Sequence, residues 1–92
     1  MNREELLKAM TMIVVQIQDI SGRNVPSTIN EKTVPIGGLE GFDSLNGLEL
    51  SMMIPKEINW SGKNVCVSDD GKKALSIGEI VDRLLNFQNP SE

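Results

Sequence analysis

The sequence contains no histidine and no tyrosine, and it has a single cysteine. Histidine is the side chain that most often moves protons at neutral pH, so the serine–histidine and cysteine–histidine nucleophile pairs cannot be built from this chain. Zinc sites of the cysteine–histidine type are excluded for the same reason. We therefore do not expect the chain to be an enzyme in its own right, and we expect no metal site.

The one cysteine, Cys66, lies between Val65 and Val67. This context predicts a small buried hydrophobic side chain, not a reactive thiol. A lone cysteine forms no intramolecular disulfide, which is consistent with a reducing compartment. We therefore expect a cytoplasmic protein.

Clustered positive charge and long apolar runs are also missing. The net charge is −4, and the nine Lys and Arg residues do not cluster, which argues against a nucleic-acid partner and is compatible with a basic protein partner. The apolar run at residues 12–15 is far too short to span a bilayer. Glu4 and Glu5 stand where a signal peptide needs positive charge, so neither a membrane span nor a targeting segment is expected.

Ninety-two residues predict a single domain over residues 1–92, ordered at about residues 3–87. Apolar residues at steps of three and four predict a first helix over residues 3–20, stopped by Gly22. A last helix is predicted over residues 77–87, with Ser76 and Glu79 at the spacing of a capping box and Pro90 ending the ordered chain before a loose tail, residues 88–92. The stripes expected to be buried are Leu6, Met10, Ile13, Ile17 and Ile20 in the first helix, and Ile77, Ile80, Val81, Leu84 and Leu85 in the last, which Phe87 extends.

Two connections are rich in turn-forming residues. Residues 21–42 contain several Pro and Gly residues and predict a long loop, with a short strand at 32–36 left open. Further along, we expect a turn at 61–64, an extended segment at 65–67, and a turn at 69–71 leading into one helical turn at 72–75. The long loop is expected to be pinned to the core by Val25, Ile29, Val34, Ile36 and Leu39.

A second helix is predicted over residues 44–54, ended or kinked by Pro55 and followed by another turn at 56–60. Its apolar residues fall on two faces, although a surface helix normally buries one. The second face either covers a loop or is an exposed contact surface. The face assigned to the core contains Gly47, Leu50, Ile54 and Ile58, and the second contains Leu45, Leu48 and Met52, with Glu49 beside it.

These elements predict an all-α fold. The expected arrangement is a small antiparallel bundle of three main helices plus a short fourth helical turn, with the long loop between the first and second helices.

Ser44 lies where the long loop meets the second helix, and Asp43 precedes it. The ordinary explanation is that Asp43 or Ser44 is an N-cap. A helix N-terminus also attracts phosphate through its free N–H groups and its dipole. Since the chain has no general base for the serine, activation has to come from a second protein, which makes Ser44 a candidate modification site.

The segment Leu39-Glu40-Gly41-Phe42-Asp43-Ser44-Leu45, followed by residues 48–50, resembles the attachment motif of acyl carrier proteins. The resemblance implies that Ser44 carries 4′-phosphopantetheine, transferred from coenzyme A by a separate, magnesium-using phosphopantetheinyl transferase, and that the arm holds acyl groups as thioesters. It implies that Asp43 supports this transfer. The implied recognition face for acyl-transferring and acyl-modifying enzymes consists of Leu45, Leu48, Glu49 and Met52.

The sequence departs from this family where its members usually carry more acids on the second helix. Residues 55–57 read Pro-Lys-Glu, and Asn46-Gly47 replaces the common acid and Thr or Ala. We therefore expect a specialised, monomeric carrier in fatty-acid, polyketide or related biosynthesis. A peptidyl or aminoacyl carrier, and an unmodified interaction module, are the alternatives.

Overall fold

The computed structural model describes residues 1–61 and 63–88 of the chain. This part is all-α, as predicted, and contains no strand, only an isolated antiparallel bridge between Val67 and Ala74. The elements are α1 (Arg3–Ile20), α2 (Pro35–Gly38), α3 (Ser44–Met52), a 3₁₀ helix (Lys56–Ile58) and α4 (Ile77–Gln88).

Helix α1 has the bounds that the sequence predicts, because both of its ends are determined by local chemistry. Asn2 Oδ1 accepts from the Glu5 N–H at 2.8 Å, and Glu5 Oε1 accepts from the Asn2 N–H at 3.0 Å, which completes a capping box. Gly22, with φ +70°, follows the last turn. The prediction of burial is wrong for Ile20, which is 76% exposed at the end of the helix beyond the core, and Ile13 is only half-buried.

Helix α4 also matches its prediction closely. Ser76 Oγ accepts from the Glu79 N–H at 3.2 Å and Glu79 Oε1 accepts from the Ser76 N–H at 2.9 Å, so the predicted capping box is present. The helix runs one residue further than predicted, to Gln88, and the remaining tail with Pro90 lies outside the described residues. Its predicted stripe is buried at Ile77, Ile80, Val81 and Leu84, half-buried at Leu85, and exposed at Phe87.

A single apolar cluster joins the helices. Helix α1 contacts both α3 and α4, α2 contacts α3, and the 3₁₀ helix contacts α4. Leu50, Ile54 and Ile58, the residues of α3 and its continuation assigned to the core, are all buried in this cluster. Burial of this apolar surface is the main term that stabilises so small a domain. Among the described residues, no helix is long and apolar enough to cross a membrane.

The segment between α3 and α4 differs from its prediction. Helix α3 ends at Met52, two residues early, because Pro55 disfavours helical geometry at the residue before it. The predicted helical turn at 72–75 is wrong, since the Leu75 N–H donates to the Cys66 carbonyl at 2.8 Å and the chain folds back on itself. Val65 and Cys66 form a turn instead of an extended segment. The predicted turn at 61–64 includes Gly62, which lies outside the described residues.

Between α1 and α3, α2 interrupts the predicted long loop. Ile36 (φ −73°, ψ 117°) and Gly37 (φ 86°, ψ −17°) have the angles of a type II turn, which requires positive φ at its third residue and so favours glycine there. The short strand that the sequence leaves open at 32–36 is absent, and α2 begins within that segment, at Pro35. Of the predicted anchors, Leu39 is buried and Val25, Ile29, Val34 and Ile36 are half-buried.

Candidate functional site

Ser44 is the first residue of α3, and its side chain is exposed. The N-cap is Asp43, whose Oδ1 accepts from the Leu45 N–H at 3.0 Å and from the Asn46 N–H at 3.2 Å. Asn46 Oδ1 accepts in turn from the Asp43 N–H at 3.2 Å, so Asn46 completes a capping box. Capping therefore explains Asp43, but it leaves the exposed Ser44 hydroxyl unexplained.

This cap changes what the helix N-terminus offers to an anion. Two of the first N–H groups of α3, those of Leu45 and Asn46, already donate to the Asp43 carboxylate. The carboxylate also places a negative charge where the helix dipole favours one. The phosphate attraction expected from the sequence is therefore weakened at Ser44, which is presented as an accessible hydroxyl beside a carboxylate.

The inner side of the first turn of α3 is held by the segment after the 3₁₀ helix. Asn64 Nδ2 donates to the Ser44 carbonyl at 3.0 Å, and Asn64 Oδ1 accepts from the Cys66 N–H at 3.0 Å. Gly47 allows this approach, because a Cβ there would lie 2.5 Å from Asn64 Oδ1. Ser51 Oγ donates to the Gly47 carbonyl at 2.7 Å. The backbone of Ser44 is thus fixed while its side chain faces outward.

The outer face of α3 is apolar and uncovered. Leu45 is 72% exposed, Leu48 42% and Met52 82%. The alternative that these residues cover a loop is therefore wrong, and the two-faced helix expected from the sequence is present. Glu49 lies beside this face, where its Oε1 accepts from Asn46 Nδ2 at 3.3 Å. We call Leu45, Leu48 and Met52 the outer face of α3.

A cavity of about 340 Å³ lies at the far end of this face. The sequence does not predict it, because it forms where the chain turns after α3 and Asn59 takes a left-handed conformation, with φ 57°. Lys56 lines it and places a positive charge at this end, opposite in sign to Glu49. The cavity is lined by Ser51, Met52, Ile54, Pro55, Lys56, Asn59 and Trp60.

A larger cavity, of about 440 Å³, lies on the side of Trp60 that faces α4. There the Trp60 and Phe87 rings meet edge to face at 5.0 Å, and the Arg83 guanidinium lies 5.0 Å from the centroid of Trp60. Arg83 also donates to the Val67 carbonyl and to Asp69. These contacts tie the segment that begins at Val67 to α4.

Sequence reasoning missed a polar network beneath the loop that leads to Ser44. Arg23 Nη1 donates to Asn46 Oδ1 at 2.8 Å and to Gln18 Oε1 at 3.2 Å. Gln18, which is fully buried, donates through Nε2 to the Glu40 carbonyl at 2.7 Å. One signal was available, since Gln18 follows Val14 by four residues and so lies on the buried stripe of α1.

Cys66 is buried, as predicted, and burial raises the pKa of its thiol to about 12. The thiol is therefore protonated and unreactive at neutral pH. Within the part of the chain that the structure describes, there is no cluster of acids and cysteine that could hold a metal ion.

Comparisons with protein-family models, with curated proteins and with solved structures each find no match for the chain. The resemblance to acyl carrier proteins therefore rests on the sequence around Ser44 alone.

Proposed function

We propose that the chain is a carrier for acyl groups, and that Ser44 is the attachment point of a 4′-phosphopantetheine arm. The observation that supports this most directly is an exposed serine hydroxyl at the start of α3, directly followed by an uncovered apolar face. An exposed apolar patch beside a reactive group is typical of a surface that other proteins contact.

The surroundings of Ser44 are compatible with such an arm. The side chains of Ser44 and Leu45 are exposed, so a bulky substituent meets no packed core at this point. Both capping bonds of Asp43 go to Oδ1. Among the described contacts, Oδ2 is left for a magnesium ion that a transferase brings with coenzyme A, since carboxylate oxygens are ligands that magnesium prefers.

Attachment requires help from the partner enzyme. A bond forms between Ser44 Oγ and the phosphorus next to the pantetheine, and the pyrophosphate bond of coenzyme A breaks and releases adenosine 3′,5′-bisphosphate. The hydroxyl proton passes to a base of the transferase. The base belongs to the transferase because this chain has no histidine. Once attached, the arm supplies a thiol that can carry an acyl group.

The outer face of α3 is the proposed recognition surface for acyl-transferring and acyl-modifying enzymes of fatty-acid, polyketide or related specialised pathways. Leu45, Leu48 and Met52 supply apolar contact area, and Glu49 supplies an acid near Ser44. Lys56 gives the far end the opposite charge. Partners that recognise a continuous acidic row should bind this chain weakly, which supports a dedicated set of partners.

The remaining features of the proposal follow from the carrier role. We propose a cytoplasmic monomer that catalyses no reaction by itself, and whose helices form a small antiparallel bundle around the apolar cluster. The chain holds Ser44 in place and its partners supply the chemistry.

Intact mass spectrometry tests the proposal. The protein is incubated with coenzyme A, magnesium and a promiscuous phosphopantetheinyl transferase, and Ser44→Ala is treated identically. We expect a gain of one phosphopantetheine on the wild type and none on Ser44→Ala. Ser61→Ala, which changes another exposed serine, is the matched control and should be modified like the wild type. The carrier proposal is wrong if the wild type gains no mass or if the gain survives Ser44→Ala.

A second candidate function is an interaction module without a prosthetic group. It is favoured by the capping box, which gives Asp43 a complete role that needs no arm. Mass measurement on protein purified from its own host separates the two functions. An unmodified chain that still binds a partner through Leu45 and Met52 supports the module. Aminoacyl instead of acyl groups on the arm identify a peptidyl carrier.

A further inference from the structure

We infer that Arg23 is a positioning residue for Ser44, because its guanidinium holds the side chain that completes the cap of α3. The link to attachment chemistry rests on the proposed function of Ser44. The link to the conformation of the first turn of α3 does not, and it can be measured on the unmodified protein.

Arg23 bridges α1 and α3. Its Nη1 donates to Gln18 Oε1 at 3.2 Å and to Asn46 Oδ1 at 2.8 Å. Gln18 is fully buried and is itself held by the Glu40 carbonyl, so the guanidinium is anchored on the α1 side. Hydrogen bonds from a charged donor are stronger than neutral ones, and here one reaches directly into the first turn of α3.

The acceptor of that bond has a second task. Asn46 Oδ1 also accepts from the N–H of Asp43 at 3.2 Å, and this bond closes the capping box around Ser44. Asn46 Nδ2 donates to Glu49 Oε1 at 3.3 Å. Arg23 therefore fixes the orientation of a carboxamide whose two ends contact the residue before Ser44 and a residue of the proposed recognition surface.

Gly41 provides an independent observation. Its φ is +68°, and a Cβ at this position would lie 2.7 Å from Arg23 Nε and 3.0 Å from Arg23 Cδ. The backbone that approaches Ser44 is therefore packed directly on the Arg23 side chain, and only glycine leaves room for this contact. Arg23 thus supports the site both through Asn46 and through the chain that precedes it.

Amide hydrogen exchange on the unmodified protein tests the conformational part. In Arg23→Met, we expect the Leu45 and Asn46 amides to exchange about fivefold faster relative to a buried α4 amide such as that of Leu84, the order of effect that loss of an N-cap produces. Arg3→Met is the matched control, because Arg3 is also an arginine that makes charged bonds, to Glu31 and Asp82, away from Asn46. It should leave the two amides unaltered. Equal exchange in Arg23→Met and the wild type overturns the inference.

A double-mutant cycle tests whether Arg23 acts through Asn46. Asn46→Ala should accelerate the same exchange, and adding Arg23→Met should change it by less than twofold more, because the shared contact is already absent. If the two substitutions accelerate exchange independently, so that their factors multiply in the double variant, Arg23 does not act through Asn46. Arg23→Lys keeps one charged donor and should restore part of the protection against exchange. If Arg23→Met does not fold, Arg23→Lys is compared with the wild type in its place.

Attachment kinetics test the functional part. With the transferase, we expect kcat/KM for the carrier to fall about fivefold in Arg23→Met and to recover partly in Arg23→Lys, while Arg3→Met matches the wild type. If the wild type takes no arm, the proposed function fails while the exchange result still decides the conformational role. If exchange accelerates in Arg23→Met but attachment is unaltered, Arg23 stabilises the cap without positioning Ser44, and the inference fails.

Discussion

Helices α3 and α4 are both short, both begin with a side-chain capping box and both contribute to one apolar cluster, but they place their apolar residues differently. In α4, Ile80 and Leu84 are fully buried. In α3, Leu50 is buried, whereas Leu45 and Met52 are 72% and 82% exposed. The core therefore accounts for the main apolar stripe of α4, but α3 carries more apolar surface than the core takes up. That surplus lies beside Ser44 and supports a binding role for α3.

The sharpest test of this difference is one truncation made in each helix. Leu84→Ala in α4 should lower the free energy of unfolding by about 2–5 kcal/mol, because it removes buried contacts and leaves a cavity. Leu45→Ala in α3 should change it by no more than about 0.5 kcal/mol. Urea denaturation followed by circular dichroism measures both. Similar losses in the two variants would mean that the outer face of α3 is part of the core.

The buried side of α3 is tested through Ser51, whose Oγ accepts from the buried Val65 N–H at 2.9 Å. Ser51→Ala leaves that donor without its partner and should cost about 1–3 kcal/mol in unfolding free energy. It should also speed the reaction of the nearby Cys66 thiol with a disulfide reagent at pH 8, because that thiol reacts only when the segment opens. Met52→Ser, on the outer face of α3, is the control. An unchanged labelling rate of Cys66 in Ser51→Ala would contradict the role of the Ser51–Val65 bond.

The two caps offer a subtler comparison. Asp43→Ala should destabilise by about 0.5–2 kcal/mol, as Ser76→Ala should in α4, whereas Asp43→Asn should preserve stability to within a few tenths of a kcal/mol, because Asn is an equally good cap. Under the carrier proposal, both Asp43 variants should take up phosphopantetheine more slowly than the wild type. Attachment to Asp43→Asn at the wild-type rate would show that Asp43 is a cap and nothing more.

Glu79, in the cap of α4, should make the free energy of unfolding depend on pH. Hydrogen bonds from Lys73 and from the Ser76 N–H lower the pKa of Glu79 from its ordinary 4.5 to about 2. Because the folded pKa lies below the unfolded one, this contribution is full above pH 4.5 and is lost as the pH falls through about 2.

The difference in urea midpoint between wild type and Glu79→Gln should therefore shrink between pH 6 and pH 2. Glu4→Gln, in the first turn of α1, is the control. A difference that does not change with pH would contradict the assignment to Glu79.

The elements that sequence predicted well are those governed by neighbours a few residues away. The start of α1 at Asn2 and the start of α4 at Ser76 both depend on bonds that span three residues, and such spacing is visible in a sequence. Helix α3 ends two residues before its predicted end, because the influence of Pro55 extends upstream of its own position.

Contacts between segments more than one helical turn apart could not be predicted from such local patterns. The bridge between Val67 and Ala74 depends on a fold-back that a local pattern of apolar residues does not specify. The bond from Arg23 to Asn46 joins residues 23 positions apart, and only the buried position of Gln18 hinted at a polar group there. Exposure of the outer face of α3 required the positions of all the helices, since the sequence allowed a covering loop as well.

Trp60 lines both cavities, and it is the only tryptophan in a chain without tyrosine. Near-ultraviolet fluorescence therefore comes from one indole, whose Nε1 donates to the Lys63 carbonyl at 2.8 Å and whose ring faces Arg83. A partner that fills the cavity next to Met52 removes water from one edge of this ring and shifts its emission to shorter wavelength. Unfolding shifts the emission to longer wavelength. The direction of the emission shift therefore distinguishes docking from denaturation without any added label.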